Sequence, residues 1–137
     1  MKILFDTNVI LDVMLLRNPF YKHSTLLLAE VENKNIEGFV CSTTVTTIHY
    51  LVEKMKGREF ALSQIQNLLK LFQVSLVDKI CLESALKSKI GDFEDAVLNE
   101  SAERERVDGI VTRNSKDFKH SSLHIYNPEE LLKILIS

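Results

Sequence analysis

Hydrophobic positions along this chain follow two different spacings. Short apolar runs predict strands at residues 2–5, 39–42, 74–77, 109–112 and 124–126. Longer stretches with apolar residues three or four apart predict helices at 7–16, 20–33, 43–56, 58–71, 79–87 and 92–106, and a terminal helix after Asn127-Pro128. The segment 113–119 is predicted to be a loop.

The order of these elements predicts the fold class. Strands that alternate with helices favour a parallel sheet covered on both faces, because parallel neighbours need crossover connections. We therefore expect an α/β protein with three layers, α/β/α, around a mostly parallel sheet of four to five strands. With 137 residues, no internal repeat and no linker, residues 1–137 are expected to form a single domain.

Composition and charge narrow the classes of protein that fit. The apolar runs are far shorter than the roughly 20 residues that span a bilayer, which predicts a soluble, cytoplasmic protein with no membrane partner. The 17 basic and 19 acidic side chains give a formal net charge of −2, so any polyanion must be bound by a local group of cations. Cys41 and Cys81 are expected to be buried hydrophobic residues without a function.

Acidic residues follow or flank the predicted strands. Asp6 comes directly after the first strand, Asp92 and Asp95 open the helix before the fourth strand, and Asp117 lies in the loop after it. In open α/β sheets, ligands bind beyond the carboxyl ends of the strands. The sequence therefore predicts that these carboxylates converge at one edge of the sheet.

Each acidic residue also has a purely structural interpretation. Asp6 is a favourable N-cap, and acids in a first helical turn are stabilised by the macrodipole. With Asp92 as N-cap, Asp95 occupies the third helical position and can face the crevice. Glu94 is then rotated by about a hundred degrees and is expected to face outward. Asp117 is also typical of a surface turn.

Converging carboxylates would repel one another and raise each other's pKa, which a divalent cation relieves. Hard cations such as Mg²⁺ or Mn²⁺ bind carboxylate oxygens and water. The absence of nearby His or Cys ligands argues against zinc. The acidic pattern therefore predicts a Mg²⁺ or Mn²⁺ site.

Two stretches carry a family resemblance, "ILFDTNVILD" near the start and "DFEDAVLNESAERERVDGIVTRNSKDF" toward the end. Together they resemble the PIN domain of VapC-type toxins, which are Mg²⁺-dependent ribonucleases of toxin–antitoxin pairs. The resemblance covers nearly the whole chain. It implies that Asp6, Asp95 and Asp117 are catalytic, metal-binding residues, with Asp92 as a further candidate ligand. The residues implied to position substrate or phosphate are Thr7, Asn8, Thr112, Arg113, Asn114 and Lys116.

The chain departs from the family pattern at two acidic positions. The family usually has a Glu on the helix after the second strand, where this chain has Thr47, and often an Asp where it has Asn114. The alternative function is therefore a weakly active or inactive scaffold that binds RNA or protein. A more remote alternative is a receiver-type domain in which Asp78 accepts a phosphoryl group.

The resemblance also implies the partners. RNA is the implied substrate, a cognate antitoxin is the implied protein partner, and a homodimer is the implied assembly. Exposed apolar residues on the first helices, such as Phe20, Tyr21 and Leu51, are candidates for these contact surfaces, although core packing is the competing interpretation.

Overall fold

A computed structural model describes residues 1–136 of the chain. Its centre is a five-stranded sheet in which every neighbouring pair of strands is parallel. The strand order is β3-β2-β1-β4-β5. The strands are β1 (Lys2–Phe5), β2 (Glu37–Cys41), β3 (Gln73–Ser75), β4 (Gly109–Val111) and β5 (His124–Tyr126). The predicted α/β class and the parallel sheet are confirmed.

Helices connect successive strands and cover both faces of the sheet. They are α1 (Thr7–Met14), α2 (Tyr21–Glu32), α3 (Ser42–Lys56), α4 (Arg58–Leu71), α5 (Lys79–Leu86), α6 (Phe93–Glu105) and α7 (Pro128–Ile136). Their bounds agree with the predicted helices to within a few residues. The segment predicted as a loop after β4 contains a short 3₁₀ helix, Ser115–Phe118.

The two faces of the sheet pack into two separate hydrophobic clusters. Ile3 and Phe5 of β1 belong to the cluster formed with α1, α2, α3, α4 and α7. Leu4 points the other way and packs with α6 and part of α5, as the alternation of side chains along a strand requires. This arrangement is the predicted three-layer α/β/α architecture.

Several predictions outside the sheet can be compared with the structure. Cys41 and Cys81 are buried and free. Phe20 is 40% exposed, whereas Tyr21 is half-buried and Leu51 packs against the core. Within residues 1–136, no helix is long and apolar enough to cross a membrane.

The central strands end at a common edge where polar residues follow at once. Asp6 comes after β1 and Thr112 after β4, and α3 begins at Ser42 directly after β2. Because β1 lies between β2 and β4, these three strand ends are adjacent. The topology thus brings residues from distant parts of the chain to one edge.

We expect Gly109→Ala to destabilise the protein. A Cβ at Gly109 would lie 2.8 Å from the backbone oxygen of His124 and 2.7 Å from the Tyr126 ring, and overpacking of this kind costs about 1–3 kcal/mol. Urea denaturation measures the change. Gly91→Ala is the matched control, since nothing lies within 4 Å of its added Cβ. Equal midpoints for the two variants would contradict the expectation.

Candidate acidic site

The Asp6 carboxylate is the central feature of the edge. The residue is only 6% exposed. Its Oδ1 accepts a hydrogen bond from the Thr7 backbone N–H at 2.8 Å, and its Oδ2 accepts one from the Thr112 hydroxyl at 2.7 Å. The Asn8 amide donates a further, longer bond of 3.3 Å to Oδ2. The N-cap role of Asp6 is confirmed, and all its donors are electrically neutral.

Burial raises the pKa of the Asp6 carboxyl, because removal from water disfavours the charged form. The hydrogen bonds from Thr112 and the Thr7 backbone act in the opposite direction, since they stabilise the carboxylate. The charges of Glu94 and Asp117 raise the pKa further. Asp6 is therefore held in place by neutral groups and repelled by neighbouring acids.

The start of α6 supplies two of these acids at positions predicted from the sequence. Asp92 is the N-cap, and its Oδ1 accepts from the Asp95 backbone N–H at 2.9 Å. Asp95 is half-buried, and the pKa of its carboxyl is raised to about 7. Burial is the largest cause, followed by the charges of Asp6 and Asp92. Such repulsion marks a place where positive charge is favourable.

One pocket, here called the acid pocket, collects these side chains. It is lined by Asp6, Thr7, Asn8, Leu11, Thr47, Asp92, Glu94, Asp95, Leu98, Asn114 and Asp117. The structure thus brings together all four acids that the sequence analysis selected. In the described part of the chain, no three His, Cys, Asp or Glu side chains form a ready-made cage for a metal ion. A Mg²⁺ ion commonly takes only one or two protein carboxylates and completes its shell with water.

The expected orientation of Glu94 was wrong. Its side chain lines the acid pocket, and its Oε1 lies 3.4 Å from the Thr47 hydroxyl, which donates to it. Asp92, Glu94 and Asp95 at the start of α6 all line the pocket, and side chains of a first turn lean toward the helix N-terminus. Consecutive residues can therefore both reach it. The neutral Thr47, at the position where the family resemblance implies a Glu, was the sequence signal that could have directed attention to a nearby acid.

Thr112 lies on the Asp6 side of the site but does not line the acid pocket. It is fully buried; its hydroxyl donates to Asp6 and accepts from the Asn114 backbone N–H at 3.0 Å. Its position suits it to orient Asp6. Asn114 itself does line the pocket.

Arg113, predicted to contact phosphate, is engaged elsewhere. Its Nε and one terminal nitrogen donate to the two carboxylate oxygens of Asp12 at 2.5 and 3.2 Å. Its guanidinium carbon lies 3.9 Å from the centre of the Phe20 ring. Asp12 is completely buried, so this ion pair joins α1 to the segment after β4. The sequence analysis did not anticipate it.

A second pocket adjoins the acid pocket and carries the opposite charge. This lysine pocket is lined by Lys89, Ile90, Gly91, Asp92, Lys116, Asp117, Lys119 and His120. It shares Asp92 and Asp117 with the acid pocket. Lys116 therefore lies beside the carboxylates, as a residue that contacts phosphate would. Lys89 comes from a separate part of the chain and was not selected from the sequence.

Asp78, the phosphoryl acceptor of the remote alternative, has structural partners. It caps α5 by accepting from the Cys81 backbone N–H at 3.0 Å, and Arg104 donates to it at 2.6 Å. These interactions lower the pKa of Asp78, with the Cys81 hydrogen bond as the largest cause. It does not line the acid pocket.

This chain is similar to known proteins both in sequence and in structure. The sequence profile of the PIN domain matches residues 2–116. Ribonuclease VapC1 of Aquifex aeolicus is 24% identical over 134 residues, which cover 94% of this chain and 92% of that protein. VapBC2 of Rickettsia felis, solved with a promoter DNA fragment, superposes with a TM-score of 0.67 at 22% identity over 93% of this chain and 98% of that one. A toxin–antitoxin complex from Klebsiella pneumoniae superposes with a TM-score of 0.69 at 20% identity, over 91% of this chain and 96% of that one.

We expect Arg113→Met to destabilise the folded protein by about 3 kcal/mol, because it leaves the buried Asp12 carboxylate without its close partner. Arg17, 3.8 Å from Asp12, offsets part of the loss. Chemical denaturation measures the change. Arg104→Met is the matched control, since its partner Asp78 is exposed and exposed pairs contribute about 0–1 kcal/mol. Equal losses of stability in the two variants would show that the buried Asp12–Arg113 pair contributes no more than an exposed pair.

The raised pKa of Asp95 predicts a pH-dependent stability without added metal. An unfolded Asp titrates near 3.8 and folded Asp95 near 7, so the folded state holds the proton more tightly between these values. Stability should therefore fall as pH rises through this window and stay constant above it. Asp95→Asn removes the effect, so its melting temperature relative to wild type should be higher at pH 8 than at pH 5.

Melting curves in EDTA at the two pH values check this expectation. Asp78→Asn is the control, because the pKa of Asp78 is lowered and both its states are ionised above pH 5. The difference in melting temperature between Asp78→Asn and wild type should be the same at pH 5 and pH 8. A pH-independent difference for Asp95→Asn would contradict the prediction.

Proposed function

The chain belongs to the PIN-domain family, and on this basis we propose that it is a Mg²⁺- or Mn²⁺-dependent endoribonuclease that acts as the toxin of a toxin–antitoxin pair. The observation that carries the proposal is the acid pocket, in which the buried Asp6 faces carboxylates from α6 and from the segment after β4. The name of the Aquifex relative, a ribonuclease, supports RNA as the substrate.

The donors in the pocket suit a hard divalent cation. Its charged side chains are all carboxylates, and its other polar groups are hydroxyls and amides, which favours Mg²⁺ or Mn²⁺ over softer metals. Burial is the largest cause of the raised pKa of Asp6 and of Asp95, and neighbouring carboxylates raise both further; a cation relieves this repulsion. Asp6, Asp95 and Asp117 would hold the ion, with Asp92 as a further ligand.

A bound cation supplies Lewis-acid stabilisation of the scissile phosphate and lowers the pKa of coordinated water. The chain's own residues orient the reactants. Thr112 and the Thr7 backbone fix the Asp6 carboxylate, so that its position does not have to be organised during the reaction. Asn8 and Asn114 present amides at the pocket, where they can donate hydrogen bonds to a phosphate oxygen or to water.

The lysine pocket supplies the local positive charge that RNA needs on a chain of net charge −2. Lys89, Lys116 and Lys119 lie next to the carboxylates that the two pockets share. Lysines in this place can bind phosphates beside the scissile bond and so fix the register of the strand. Arg113 is not required for this role, because it is paired with Asp12.

We propose a cognate antitoxin as the protein partner. The Klebsiella structure is a toxin–antitoxin complex, and the acid pocket would attract a basic segment of such a partner. A homodimer in the cytoplasm remains part of the proposal. The alternative is a PIN scaffold that binds RNA or protein without cleavage, which is favoured by the neutral Thr47 and Asn114 at positions that are usually acidic.

Cleavage of a mixed RNA pool by the purified protein tests the activity. We expect cutting with Mg²⁺ or Mn²⁺ that EDTA stops and that Asp6→Asn reduces by 100-fold or more, on the order of the loss from removing one key electrostatic group. Asn remains a good N-cap, so the variant should stay folded. Inactivity of the folded wild-type protein in every metal would support the scaffold.

RNA binding measured over a range of salt concentrations tests the lysine pocket. The double variant Lys116→Gln, Lys119→Gln should bind RNA more weakly and show a smaller salt dependence, because it contacts fewer phosphates. Lys70→Gln, Lys79→Gln makes the same change in net charge outside both pockets. Equal loss of binding in the two double variants would point to net charge alone.

A further inference from the structure

Helix α3 lines the acid pocket with a neutral residue, Thr47. Its hydroxyl lies 3.1 Å from the Thr43 carbonyl oxygen and 3.4 Å from Glu94 Oε1. Among residues 1–136, the carboxylate in contact with Thr47 comes from a different helix, α6.

We propose that Glu94 is a metal-binding residue of this site and supplies, from α6, the carboxylate that α3 lacks at Thr47. This inference rests on the proposed function, because it assigns a ligand to the same cation. It adds a further acid to Asp6, Asp95, Asp117 and the candidate Asp92. Glu94 can bind the ion directly or through a coordinated water, as carboxylates around Mg²⁺ do.

The position of Glu94 supports this assignment over an ordinary role in its helix. An acid in the first turn interacts favourably with the macrodipole wherever its side chain points. Glu94 instead reaches across the pocket to Thr47, and its charge is close enough to act on both Asp6 and Asp95. It therefore shares the electrostatic environment of the two main ligands.

Glu94 also has no compensating cation in the described part of the chain. None of the ion pairs within residues 1–136 includes it. Asp12, by contrast, is neutralised by Arg113, and Asp78 is paired with Arg104. The negative charge of Glu94 adds to that of the acid pocket and is available to a divalent ion.

Binding of Mn²⁺ alone, followed by the electron paramagnetic resonance signal of the free ion, tests the inference without RNA or activity. Glu94→Gln should raise the dissociation constant on the order of tenfold. Glu59→Gln is a closely matched control. Glu59 is the second residue of α4, as Glu94 is of α6, so both variants lose the same charge and the same macrodipole interaction.

A rescue variant separates a metal role from a structural one. In Glu94→Gln, Thr47→Glu the carboxylate returns on the other side of the same contact, and we expect Mn²⁺ affinity to recover to within a few-fold of wild type. A merely structural role of Glu94 would leave the double variant as weak as the single one. Melting temperatures with EDTA should be alike for Glu94→Gln and Glu59→Gln, which checks that the folds are equally intact.

The outcomes distinguish this inference from the proposed function. Weak Mn²⁺ binding by Asp6→Asn together with wild-type binding by Glu94→Gln would overturn the role of Glu94 and leave the metal site in place. Absence of Mn²⁺ binding by the wild-type protein would overturn both. Loss in Glu94→Gln, none in Glu59→Gln and recovery in the double variant support the inference.

Discussion

The buried carboxylate of Asp6 is the constraint on which the rest of the site depends. A charge at the end of a central strand loses most of its hydration, and this penalty must be offset by hydrogen bonds or by other charges. The chain supplies the hydrogen bonds from three directions, the Thr7 backbone, the Asn8 amide and the Thr112 hydroxyl. Each comes from a segment that starts where a central strand ends. The parallel sheet is therefore what makes the burial of Asp6 tolerable.

The two buried aspartates, Asp6 and Asp12, have different kinds of partner. Asp12 lies on α1, the helix that Asp6 caps, and is neutralised by the guanidinium of Arg113. Asp6 receives the neutral hydroxyl of Thr112, the residue just before Arg113. Adjacent residues after β4 thus give Asp6 a neutral hydrogen-bond donor and Asp12 a positive charge. A fully paired Asp12 joins α1 to the segment after β4, whereas Asp6 has only neutral hydrogen-bond donors.

The fold and the backbone of the site could be predicted from the sequence, because both depend on local patterns. Apolar spacing located every α-helix and strand within residues 1–136 to within a few residues, and the position of Asp6 after β1 placed it at the edge where the central strands end. Side-chain pairing could not be predicted in the same way. Arg113 and Asp12 are separated by 101 positions, and no periodicity links them. The direction of Glu94 was misjudged because consecutive residues at the start of a helix can line the same pocket, which helical rotation alone does not predict.

Two helices reach the acid pocket in different ways. The start of α6 lies at the pocket, with Asp92, Glu94 and Asp95 lining it, and side chains in a first turn lean toward the helix N-terminus. Helix α3 instead contributes Thr47 from its second turn. The proposed cation would need carboxylate charge in this volume, and the helix that carries the carboxylate is immaterial to the electrostatics. Glu94 contacts Thr47, so a carboxylate from α6 lies beside the neutral residue that α3 contributes.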